Sequence, residues 1–289
     1  MDILDHDRWE SHRAKTFLHP PEINISTISG ARNYVNQRGF VFLWPIKGVD
    51  LPSLWEAMGG SYPVSSDHTD PYHITWTWKD DSLDKHCWYY AKILRRKATF
   101  ISLEVSPYFY ALSENYGSPE EDYLVTYEQG RMSKAAKEIY ETLLDKGSLD
   151  TILLRKESHL TNAKESVFTR ALEDLQADFK ILPVGIADAG AWHYSYRYDL
   201  TSRHFPDLPE KARSIGEAEA RQKLVEIYLQ SVGAICLKDI TRIFQWNPEV
   251  VLRVVERLQR MGKLVTCSRQ DIPGEWLALP ELVNTSNGT

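Results

Sequence analysis

Arg253, Arg257 and Arg260 recur at i, i+4 and i+7. On a helix that spacing sets three guanidinium groups on one face. Each fork can give two parallel hydrogen bonds to a phosphate. The same stripe also suits a solvated face that pairs with Glu249 and Glu256. A denser cluster, Lys92, Arg95, Arg96 and Lys97, falls at the turn of a hairpin pattern. A wing tip that reaches phosphate is one reading, and a charged sheet edge that resists aggregation is the other. Arg155, Lys156 and His159 form a third group, with Lys164 and Arg170 further on. Glu165, Glu173 and Asp174 lie among these last two and would repel phosphate.

Trp76, Trp78 and Trp88, with Tyr89 and Tyr90, precede the basic turn. Ring faces of this kind can stack a flipped or single-stranded base, at about 1–3 kcal/mol per base. Aromatic residues at these spacings can equally alternate into a core. Asp67, His68, Asp70 and His73 have metal-ligand chemistry but no ligand spacing, so no metal is expected. The sequence contains no Gly-x-Ser-x-Gly, no phosphate-binding loop and no Gly-x-Gly-x-x-Gly. Esterase, nucleotide-hydrolase and dinucleotide readings therefore lack their fingerprints, and no cofactor is expected.

The elements that must position these groups come from an internal repeat. LLDKGSLDTILLRKESHL is answered by LQSVGAICLKDITRIFQW, and ESVFTRALEDLQADFKILPVGI by NPEVVLRVVERLQRMGKLVTCS. Gly147 and Gly233 are 86 residues apart, as are Leu172 and Leu258, and Leu175 and Met261; Trp192 and Trp276 are 84 apart. Each unit reads as a helix ending at glycine, a short helix (149–156; 237–244), a longer helix (164–177; 248–261) and a hairpin. The hairpins are 179–186 with 192–198, and 263–267 with 275–279. Asn247 and Pro248 stand as cap and first residue of the last long helix. Helix–helix–helix–hairpin is the winged-helix plan, a helix-turn-helix relative.

The N-terminal third is a looser version. Helices are expected at 27–37 and 51–58, a hairpin at 86–97 with 98–105, and a helix at 107–116. Residues 199–216 read as a linker with Pro206 and Pro209. The chain is thus read as α+β: an N-terminal extension (1–24) and three tandem winged helices (25–118, 119–205 and 206–289).

Composition fits this reading. Of 289 residues, 43% are hydrophobic and 26% charged, as in an ordinary globular protein. No apolar run reaches the roughly 18 residues that span a bilayer. The N-terminal run MDILDHDRWESHRAK has no apolar stretch, so no secretory leader is expected. Cys87, Cys236 and Cys267 are far apart and fit a reducing cytoplasm. The net charge is −6 and unevenly spread. Residues 1–118 carry 12 basic and 14 acidic side chains, residues 119–210 carry 11 and 17, and residues 211–289 carry 11 and 9. A polyanion-binding face must therefore be local.

The arrangement resembles the AlkZ/YcaQ-type crosslink-repair DNA glycosylases, a winged-helix DNA-binding family. LLDKGSLD, ALEDLQADFKILPVG, the linker YDLTSRHFPDLP and SVGAICLKDITRIF carry the resemblance, which spans about residues 31–282. Glycosylases of that family hold a Gln-hydrophobic-Gln or Gln-hydrophobic-Asp motif after the first helix. Here Phe42 and Trp44 occupy its two polar positions. A phenyl ring and an indole can neither take a proton from water nor supply the negative charge that steadies an oxocarbenium-like transition state. The resemblance implies a repair-related protein that binds double-stranded DNA without the family's usual catalytic motif. Two alternatives stay open. One is an active glycosylase for alkylated or crosslinked bases, its catalysis moved to Asp50, Glu56, Asp67 or Asp70. The other is a protein-interaction scaffold whose acidic middle domain takes a basic partner.

Overall fold

The computed structural model describes residues 2–18, 25–60, 63–65, 67, 69–190 and 193–284. His19-Pro20-Pro21, His68 and Trp192 lie outside them. The fold is α+β. The chain divides into two units, one of Trp76–Glu217 and one of Met1–Thr75 with Ala218–Thr289.

The sequence repeat is also a structural one. Helices Lys134–Lys146 and Glu217–Val232 end at Gly147 and Gly233, whose φ values of 79° and 80° lie in the left-handed region open to glycine. Each is followed by a two-residue strand, Leu149–Asp150 or Ala234–Ile235. Next comes a short helix, Thr151–Glu157 or Leu237–Phe244. A longer helix follows, Glu165–Ala177 or Pro248–Arg260. Each unit closes on a hairpin, Ile181–Ala187 with Ser195–Leu200 or Val265–Ser268 with Trp276–Ala278. In both, the two-residue strand pairs antiparallel with the second hairpin strand, through Leu149↔Tyr198 and Ala234↔Ala278. The sequence pattern did not include these short strands, because two residues carry no periodicity.

Within residues 76–217 the core collects Ile139, Leu143, Leu154, Phe168, Leu175 and Ile181, each at most 1% exposed. Asp150 starts the short helix by accepting from the Ile152 and Leu153 amides. Phe168 sits on the inner face of the long helix, so Phe168→Ala should cost about 3–5 kcal/mol. A further hairpin pairs Tyr89–Lys92 with Ala98–Ile101. It is shorter than the sequence suggests: Leu94–Arg96 form a 3-10 turn, with Arg95 and Arg96 at φ of 57° and 53°. Tyr89 stacks on Phe179 at 4.5 Å and meets Thr201 Oγ1 at 3.1 Å. The helix expected at 107–116 covers only Ser106–Tyr110.

In the other unit the N-terminal segment is an integral part of a sheet. Asp2–Leu4 pairs antiparallel with Val283–Asn284 and parallel with Val265–Ser268, in a five-stranded sheet that ends at Ala234–Ile235. Helix His6–Phe17 follows, capped by Asp5, and Trp9 Nε1 donates to the Val232 carbonyl at 2.9 Å. Helix Ile28–Arg38 is capped by Thr27 and ends at Gly39. Strand Phe40–Phe42 and helix Leu54–Gly59 complete this region. The second helix was expected from residue 51. It starts later because Pro52 disfavours helical backbone at Leu51, and Ser53 supplies the cap.

Candidate functional site

Helix Pro248–Arg260 has one apolar and one cationic face. Asn247 Oδ1 caps it by accepting from the Glu249 amide at 2.9 Å. Val251, Val254, Val255 and Leu258 are buried, so Arg253, Arg257 and Arg260 are turned outward and exposed. Arg260 Nε donates to the Glu256 carbonyl at 3.4 Å, and none of the three makes an ion pair among the described residues.

The basic turn of the other unit is arranged differently from the free wing tip that the sequence suggests. Lys92 Nζ lies 2.8 Å from Glu173 Oε1, and Arg96 lies 2.6 Å from Asp174 Oδ1. The Lys92 amide also donates to Gln176 Oε1 at 3.1 Å. The carboxylates that would repel phosphate thus hold this turn against their own helix. Arg95 and Lys97 remain exposed. Arg155 is likewise engaged: it pairs with Glu165, donates to the Ala163 carbonyl at 2.7 Å and lies over the Phe168 ring. Lys156 and Lys164 are exposed, and Arg170 reaches Asp174 only at 3.8 Å.

Two of the three tryptophans considered for base stacking are core residues. Trp78 and Trp88 are 6% and 3% exposed, and Trp88 packs edge-on against Phe100. Trp76 is half-buried and covers the Lys79 ammonium at 3.8 Å from its ring centre. Lys79 is fully buried. Its Nζ meets Asp80 at 2.8 Å, Tyr194 at 3.1 Å and Tyr196. Burial pushes its pKa down to about 8, with Asp80 opposing the shift.

The four carboxylates considered for relocated catalysis separate clearly. Asp67 Oδ1 accepts from the Thr69 amide and hydroxyl, and Asp70 Oδ1 from the Tyr72 amide. His73 Nε2 meets the Ser65 carbonyl at 2.9 Å. These are turn-forming roles, and no group of three metal-ligating side chains occurs among the described residues. Asp50 and Glu56 stand instead beside the stretch that holds Phe42 and Trp44. Phe42 is fully buried and Trp44 half-buried. The Phe42 amide donates to the Pro52 carbonyl at 3.0 Å, and the Trp55 amide to the Leu43 carbonyl at 3.1 Å. Phe42 and Ser53 form a parallel bridge. This backbone lacing fixes Ser53, whose Oγ donates to Glu56 Oε2 at 2.7 Å.

Burial raises the Glu56 pKa above the ordinary carboxylate value; Ser53 opposes this, Asp50 adds to it and Arg13 opposes it. Asp50 takes both Arg13 guanidinium nitrogens, at 2.6 and 2.8 Å. Tyr228 is fully buried, its hydroxyl faces the charges of Asp50, Asp239, Arg13 and Arg242, and it has no hydrogen-bond partner. Arg13, Ser53 and Tyr228 were not among the sequence candidates. Ser53-x-x-Glu56 does carry a readable signature, that of a capping box. Nothing local marks Arg13 or Tyr228.

Comparison with known proteins places this architecture. The family profile described as AlkZ related matches residues 25–245, more than half of the chain. The chain belongs to the AlkZ-related family. Among solved structures it is similar to the Streptomyces sahachiroi DNA glycosylase AlkZ, with a TM-score of 0.58 and 12% identity over 95% of this chain and 69% of that one. At that identity the likeness concerns the fold. No curated protein matches. Among the described residues no helix is long and apolar enough to cross a membrane.

Proposed function

We propose that this chain is a double-stranded DNA-binding protein of the AlkZ-related family with a role in DNA repair in the cytoplasm. It uses three tandem winged helices, at 25–118, 119–205 and 206–289. The two repeats with matched strand order support the second and third of these. The short helices and the 89–101 hairpin support a divergent first. Family membership, and the likeness to a protein named a DNA glycosylase, support the repair role.

The observation that carries DNA binding is the exposed stripe of Arg253, Arg257 and Arg260 with no carboxylate partner. A duplex carries one negative charge per ~1.7 Å, and a rigid cationic helix face releases condensed counterions on contact. Arg95, Lys97, Lys156, Lys164 and Arg170 add exposed positive charge. Lys92, Arg96 and Arg155 have carboxylate partners and would position the backbone around them. The scaffold reading loses ground because Glu173 and Asp174 already face Lys92 and Arg96.

The test is fluorescence anisotropy of a labelled 20-base-pair duplex, titrated with the protein at several salt concentrations. Binding that weakens steeply as salt rises supports the proposal. Flat titrations at low salt defeat it.

A further inference from the structure

We propose that Glu56 is the catalytic carboxylate of an N-glycosidic hydrolysis, standing in for the polar groups that Phe42 and Trp44 have displaced. The inference rests on the DNA-binding reading above and goes beyond it.

Three observations carry it. First, the backbone lacing of 42–43 along 52–55 puts Glu56 next to the strand where the sequence comparison looks for catalytic side chains. Second, the two carboxylates of the cluster are not equivalent. Asp50 has both oxygens bound by Arg13. Glu56 has one oxygen held by Ser53, and its other oxygen makes no hydrogen bond among the described residues. A carboxylate fixed at one oxygen and open at the other can orient a water and accept its proton. Third, the buried Tyr228 hydroxyl faces the Asp50 and Arg13 charges without a partner, so the cluster contains an unused hydrogen-bonding group. The cluster also meets solvent, since the Asp50 side chain is 42% exposed.

The chemistry balances without a further reactant. A water held by Glu56 attacks C1′ of the deoxyribose, and its proton passes to the carboxylate. The C1′–N bond breaks, and its electron pair leaves with the base. The proton then returns to solvent. The negative carboxylate also steadies the positive charge that develops on the sugar. This scheme supplies no proton to the leaving base. The substrate class is therefore a nucleotide whose base is already cationic by N-alkylation and departs neutral.

A Ser-x-x-Glu pair at a helix start also serves as a cap, so the experiment must separate the two roles. The probe is duplex DNA carrying N7-methylguanine, with free base measured chromatographically. Wild-type protein should release the base, and Glu56→Gln should release it at least about 100-fold more slowly. Glu56→Gln keeps side-chain length and the hydrogen bond with Ser53, so its melting temperature and duplex affinity should match wild type. Residual activity of the wild type should fall as pH drops through a single ionisation above the ordinary carboxylate range, and that limb should vanish in Glu56→Gln. Release by Glu56→Gln at the wild-type rate overturns the proposal. So does a wild type that binds the duplex but releases no base, a result that leaves DNA binding intact. Loss of duplex binding by the wild type would instead remove the reading beneath it.

Discussion

Arg96 and Asp174, 78 residues apart, meet at 2.6 Å and join the basic turn to a helix of its own unit. Both side chains are partly exposed, at 41% and 29%. Screening keeps such a pair to about 0.2–1 kcal/mol. Arg96→Glu places like charges together and should lower the urea midpoint. Adding Asp174→Arg to it should restore most of the loss. A double-mutant cycle in urea measures the coupling, and a coupling of zero would show that the contact orders nothing.

Lys79 gives a pH signature. Its folded pKa of about 8 lies below its ordinary 10.5. Between those values the unfolded chain binds more protons than the folded one, so this group makes stability rise with pH from about 8 upward. Tyr89, Tyr90 and Tyr198 act oppositely above about 10, because burial raises their folded pKa values. Stability should therefore climb between about pH 8 and 10 and fall beyond. Lys79→Met removes the ammonium and should flatten the climb. Thermal melts from pH 7 to 11 check it, and an unchanged climb in Lys79→Met would assign it to another group.

The two repeat glycines should differ on substitution. An added Cβ at Gly147 meets nothing within 4 Å, so Gly147→Ala carries only the left-handed backbone strain, about 1 kcal/mol. At Gly233 the same atom would come within 2.9 Å of Leu282 Cδ1 and Trp9 Cδ1. Gly233→Ala should cost about 1–3 kcal/mol more, through overpacking. Equal melting temperatures for the two variants would contradict this close packing.

What was legible in the sequence was local. The glycine terminators, the 86-residue offset and the apolar spacing of Val251, Val254, Val255 and Leu258 each act within a few turns of chain. They fixed helix order and the direction of the arginine stripe. Contacts over long separations were not legible. Lys92–Glu173 spans 81 residues, and Asp2–Leu4 reaches Val265–Ser268 from the far end of the chain. No periodicity encodes either. The same holds for Trp78 and Trp88: aromatic residues beside a hairpin look alike whether they face solvent or core, and packing against Phe100 decides it for Trp88. At the carboxylate cluster, the sequence offered four acids of equal standing. Only the backbone lacing of Phe42 to Ser53 separated Glu56 from Asp67 and Asp70.

The most direct test of the DNA-binding account is the triple change Arg253→Glu, Arg257→Glu and Arg260→Glu, assayed by duplex anisotropy from 50 to 300 mM salt. The account predicts loss of measurable affinity. It also predicts that single reversals lower the slope of log affinity against log salt by about 0.9 for each phosphate contact removed. A triple variant that keeps its fold by circular dichroism and binds with wild-type affinity and slope would contradict the account.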